Sequence, residues 1–122
     1  MAVVRALMVL ALAVAALAVP PAFAQQARSF TVVTVLSGQG DNVANVWLPS
    51  ALIVRRGERV TLTLRNVSPA DHGFAIDEAR IQEIVQPGQT KTVIFSHRTE
   101  GVLRYYCHVH PAHIGGQVLV VR

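Results

Sequence analysis

The sequence predicts an all-β domain, an antiparallel sandwich or barrel of eight or nine short strands. Three observations carry this. β-branched residues dominate from residue 30 onward, with no convincing helical period. Turn formers recur at short intervals, as in Arg56-Gly57-Glu58, Pro87-Gly88 and Glu100-Gly101. And RVTLTLR, residues 59–65, alternates cleanly, with Val60, Leu62 and Leu64 on one face and Thr61 and Thr63 on the other.

Phe30 to Leu36 (FTVVTVL) reads as the first strand. Ser37-Gly38-Gln39-Gly40-Asp41-Asn42 is rich in turn residues, so a loop is expected there. Val43 to Leu48 and Ala51 to Val54 are short strands on either side of Pro49-Ser50. Arg59 to Arg65 comes next, and Asn66 to Asp71 is a polar loop containing Pro69. Gly73 to Asp77, Ile81 to Val85, Thr90 to Phe95, Val102 to Cys107 and Gln117 to Val121 complete the set. Asp77 to Arg80 reads equally as a short helix or an irregular turn. No internal repeat, low-complexity tract or linker interrupts the series.

Residues 1–24 have a different character. Arg5 precedes an uncharged apolar run from Ala6 to Val19; Pro20-Pro21 and an Ala22-Phe23-Ala24 cleavage pattern follow. Fourteen apolar residues fall short of the roughly 20 that cross a bilayer. A cleaved signal peptide over 1–24 is therefore expected, with one domain over 25–122, export to the periplasm or beyond, and no stable membrane span after cleavage. That domain carries ten basic residues, only one of them lysine, against seven acidic ones. The arginines are scattered along the sequence and form no block, which argues against a nucleic-acid groove. A weakly basic face for an acidic partner is compatible with this composition.

A single cysteine, Cys107, rules out an internal disulfide. It is left as an intermolecular bridge, an inert thiol or a metal ligand, and its surroundings favour the last. In a strand over 102–107, Leu103, Tyr105 and Cys107 share the inner face. The following loop, YYCHVHPAHIGG, offers His110 and His113 in a Cys-x-x-His-x-x-His spacing, stiffened by Pro111. A soft thiolate with imidazoles is a ligand set for copper or zinc. His72, at the start of GFAID and just after a polar loop, is placed to supply a further ligand from elsewhere in the sandwich. Tyr105 is expected in the core and Trp47 in the core or at the rim. His108 should point to the opposite face from Cys107, and His97 should be exposed.

These residues carry a family resemblance over nearly the whole of 25–122. VRRGERVTLTLRN, HGFAID, IVQPGQTKTVIF and GVLRYYCHVHP resemble the corresponding strands and ligand loops of the cupredoxins, the fold of blue copper proteins. GFAID, IQEIVQPGQTKTVIF and the Cys-x-x-His-Pro loop are most similar to the nitrosocyanins, red copper proteins. Those carry a glutamate where His72 stands, and a later histidine further along the loop than His113. The copper domain of cytochrome oxidase subunit II is also similar, but its binuclear site needs two cysteines.

The resemblance implies a Greek-key β-sandwich or barrel of about eight strands holding one copper through His72, Cys107 and His110. The axial ligand is then His113, because both methionines, Met1 and Met8, lie in the leader; Gln117 is the alternative donor. The expected activity is electron transfer to a redox partner protein such as a cytochrome or oxidase. A copper enzyme or binder of nitric oxide or nitrite, and a copper storage or delivery protein, are the alternatives. Assembly into a homo-oligomer is compatible with the sequence.

Overall fold

The computed structural model describes residues 26–122. The leader and its expected cleavage after Ala24 lie outside the described residues. Among the described residues nine strands form: β1 (Ala27–Gln39), β2 (Asn42–Leu48), β3 (Ala51–Arg55), β4 (Arg59–Asn66), β5 (His72–Ile76), β6 (Ile81–Val85), β7 (Thr90–Phe95), β8 (Gly101–Tyr105) and β9 (Gly116–Val121). They make a four-stranded sheet in the order β2-β1-β4-β7, a three-stranded sheet β3-β9-β8, and a two-stranded sheet β5-β6.

Alternation places the core. Val60, Leu62 and Leu64 of β4 are buried, as are Leu52 and Val54 of β3, Leu103 and Tyr105 of β8, and Val118 and Val120 of β9. With Val32, Trp47, Phe74, Ile76 and Val85 they form one cluster between the sheets. Each large side chain so buried contributes on the order of 1.5–3 kcal/mol. Trp47 and Tyr105 both lie in this core.

The structure departs from the sequence reading in three places and resolves an ambiguity at a fourth. The sheets are mixed, since β1–β4 and β3–β9 pair in parallel through crossovers that bring distant segments side by side. The expected loop at 37–42 shrinks to a turn at Gly40-Asp41. Cross-strand pairing with β2 carries β1 out to Gln39, and Gly40 takes the positive φ of 59° that the tight turn requires. Asp77–Ala79 is a 3-10 turn. Regular pairing in β8 ends at Tyr105, two residues before Cys107.

Strand register gives the domain two distinct ends. Arg59 pairs with Ala27, Arg55 with Val121, Phe95 with Val60, and Gly101 with Val120, all at one end. Asn66 pairs with Thr34, Ala51 with Gln117, and Tyr105 with Gly116 at the other. The loop bearing Cys107, His110 and His113 and the loop leading into His72 lie at the second end.

Candidate metal centre

Tyr106 exchanges both backbone hydrogen bonds with Ala75 (2.9 and 3.1 Å), which joins the end of β8 to β5. This isolated bridge brings Cys107 against the start of β5. The Gly73 N–H donates to Cys107 Sγ at 3.2 Å, and Cys107 is almost fully buried. A thiolate that loses water there gains a backbone donor instead. The next residues wind through two tight turns, with the His110 N–H on the Cys107 carbonyl (3.3 Å) and the His113 N–H on the His110 carbonyl (3.0 Å). Ile114 then pins the loop to β2 by donating to the Asn45 carbonyl at 3.3 Å.

His72 is held from behind. Its Nε2 lies 2.6 Å from Ser68 Oγ, whose own proton is directed at the Ala70 carbonyl, 3.1 Å away. Ser68 therefore accepts the Nε2 hydrogen, which leaves the Nδ1 lone pair of His72 free. The Ser68 N–H donates to Asn66 Oδ1 (2.9 Å). The Asn66 amide spans the Ala70 and Val85 carbonyls at 2.7 Å each, and Thr34 Oγ1 donates to Asn66 Oδ1 at 2.9 Å. A fully partnered buried network thus ties the His72 loop to β1, β4 and β6. Trp47 closes the side wall: its Nε1–H donates to the Gly73 carbonyl (2.9 Å), and its ring meets His72 edge-on at 6.4 Å.

The four donors converge. One ligand atom from each of His72, Cys107, His110 and His113 falls within 4.8 Å of the others. Cys107 Sγ stands 3.5 Å from His110 Nδ1. An ion holding a thiolate at about 2.3 Å and an imidazole at about 2.0 Å in tetrahedral array separates those donors by about 3.5 Å. The His110 and His113 rings lie 4.5 Å apart, and His113 Nδ1 is buried without a hydrogen-bond partner. A buried, unpartnered imidazole nitrogen among a thiol and two further imidazoles is what a metal would satisfy. Burial first, and then the neighbouring imidazoles, hold His72 and His113 below the usual histidine value of 6.5. Both are therefore neutral, and ready as ligands, near pH 7.

Other candidates fall elsewhere. Gln117 is exposed on β9, beside the buried Val118, and pairs in register with the equally exposed Arg104; strand alternation turns it away from the cluster. His108 is not an outward-facing residue but is half-buried against Gly73, where a Cβ would come within 2.6 Å of its Nδ1. The chain has left β8 by residue 108, so strand alternation no longer governs it. His97 is likewise half-buried. Ser68, Asn66 and Thr34 were not singled out by sequence, because nothing in a polar loop marks which hydroxyl will face an imidazole.

The cupredoxin-like domain family matches residues 7–120. The chain belongs to that family. Solved copper proteins share the fold. Copper nitrite reductase from Thermus scotoductus SA-01 is 25% identical with a TM-score of 0.62, over 78% of this chain and 28% of that one. The copper nitrite reductase of Nitrosomonas europaea is 22% identical with a TM-score of 0.68, over 79% and 42%. The metal-binding domain of the Streptococcus pneumoniae D39 Cu(I)-exporting P-type ATPase CopA is 14% identical with a TM-score of 0.64, over 83% and 92%. This cupredoxin thus spans less than half the length of the two reductases it resembles. No curated protein matches its sequence. Family membership and the Cys-His cluster together make it a copper-binding protein.

Proposed function

We propose that this cupredoxin is an exported, periplasmic electron carrier that binds one copper through His72, Cys107, His110 and His113. The observation that carries the reading is the convergence of those four donors around a nearly fully buried thiol. When bound, copper supplies a one-electron couple. The protein's share of the work is to hold the ligands still. Gly73 steadies the thiolate, Ser68 fixes His72, and two turn hydrogen bonds set His110 and His113. Ligands that do not move between oxidation states keep reorganisation small. Val109 and Ile114, both exposed, flank the histidine loop, while Leu48 is exposed at the end of β2. They offer an apolar rim on which a redox partner, such as a cytochrome or oxidase, could seat with His110 near the contact.

A second reading has one observation in its favour. A cavity of about 380 Å³ reaches Cys107 and His113, with Arg104, Tyr106, Asp77 and Glu78 along its wall. A small molecule such as nitrite or nitric oxide would have access from that side if His113 gave way. Titration of the copper-loaded protein with nitrite and azide separates the two. A carrier keeps its optical spectrum unchanged through saturating anion and cycles reversibly between its two colours; a spectrum that shifts and saturates with nitrite would replace electron transfer with small-molecule binding.

A further inference from the structure

The fold gathers arginines that the sequence scatters. Four stretches of backbone meet at the end of the sandwich opposite the metal cluster. The Arg56 N–H donates to the Val121 carbonyl (2.8 Å), the Gly57 N–H to the His97 carbonyl (2.7 Å), and the Arg59 N–H to the Gln26 carbonyl (2.9 Å). This end carries six exposed arginines, at 28, 55, 56, 59, 98 and 122, against two glutamates, Glu58 and Glu100. Glu58 pairs with Arg28, while Arg56 and Arg122 share Glu100. Arg55, Arg59 and Arg98 have no ion pair among the described residues. Over the rest of residues 26–122, four basic residues face five acidic ones. All of the positive excess of this part of the chain sits at one pole.

The surface there suits anionic headgroups. Arg56 and Arg98 line one shallow depression of about 340 Å³, and Arg59 lines another of about 310 Å³ with Ile94, Phe95 and Ser96. Ile94 and Val121 are exposed beside these arginines, so apolar side chains stand next to the charges. A bilayer interface takes both chemistries at once. The chain also enters the fold at this pole, at Gln26–Ala27. Only residues 20–26 separate it from the apolar run Ala6 to Val19, and seven residues reach at most about 25 Å. Until the expected cleavage after Ala24, a leader held at the membrane would keep the basic pole close to the lipid surface.

We propose that this arginine pole is a docking surface for anionic phospholipid membranes. It turns the copper end outward, about 25 Å away along an eight-residue strand such as β4, toward soluble partners. The inference is independent of what the copper does.

Co-sedimentation of the copper-loaded protein, purified from its native envelope, tests it. Vesicles of phosphatidylcholine, with or without about one phosphatidylglycerol in three lipids, are compared across a range of salt. Binding should require phosphatidylglycerol, weaken with salt, and fall about a hundredfold in the Arg55→Gln/Arg59→Gln/Arg98→Gln variant. A charge-matched control, Arg65→Gln/Arg80→Gln/Arg104→Gln, should keep it. Equal losses in both triple variants would make the attraction a matter of net charge and overturn the pole. So would binding indifferent to phosphatidylglycerol, or a pole that ignores vesicles but retains an acidic protein or a nucleic acid.

Discussion

At the residue scale, the cluster of four donors was legible in the sequence wherever chemistry is local. Cys107, His110 and His113 announce themselves by spacing, and His72 by its place at the head of a strand. Ser68 was not legible, because its partnership with His72 depends on how residues 66–72 curl around the Asn66 amide. It acts through His72 by holding one tautomer. Ser68→Ala should let the His72 ring reorient. Nitrogen-15 NMR of the metal-free protein should then show His72 leaving a pure Nε2–H form, and the copper optical bands should shift. An unchanged tautomer would remove Ser68 from that role. The proposed role of His113 as a copper ligand carries a second prediction. His113→Met replaces a strong donor with a weak one, so the protein should turn bluer and its reduction potential should rise. If spectrum and potential both stay as in the wild type, His113 is a rim residue.

At the element scale, strand identity could be read from alternation, as Val60, Leu62 and Leu64 illustrate, but neither pairing direction nor strand ends could. The parallel β3–β9 pair joins residues more than sixty positions apart, and no local pattern encodes it. β8 stops at Tyr105 because its neighbour β9 begins only at Gly116. The close approach there has its own requirement. A Cβ on Gly116 would meet the Tyr105 ring within 2.4 Å, and that ring is fully buried, with its hydroxyl bonded to the Pro49 carbonyl. The ring has nowhere to retreat. Gly116→Ala should therefore cost on the order of 1–3 kcal/mol, seen as a lower urea midpoint. A midpoint equal to the wild type would mean that β9 shifts freely.

At the scale of the whole molecule, the sequence foretold a β-sandwich but not its polarity. Arginines spread from position 28 to 122 converge on one end only because strand register aligns them. The metal end has its own global consequence in pH. The folded chain holds His72 and His113 below 6.5, chiefly by burial and then by mutual repulsion with neighbouring imidazoles. The unfolded chain takes up protons near 6.5, before the folded one does. Stability of the metal-free protein should thus be full above that pH. It should decline as pH falls toward the lowered folded values, and level off below them. Urea unfolding of metal-free protein at about pH 7.5 and about pH 5.5 checks the sign. Stability that rises on acidification would contradict the burial of these imidazoles.

The central claim is that a single copper is bound through the Cys107 thiolate, and an optical titration with Cu(II) tests it most directly. A visible thiolate-to-copper band should grow and saturate at one copper per chain, and it should be absent from Cys107→Ser. No band, saturation only at two or more coppers, or a band that survives in Cys107→Ser would contradict the account.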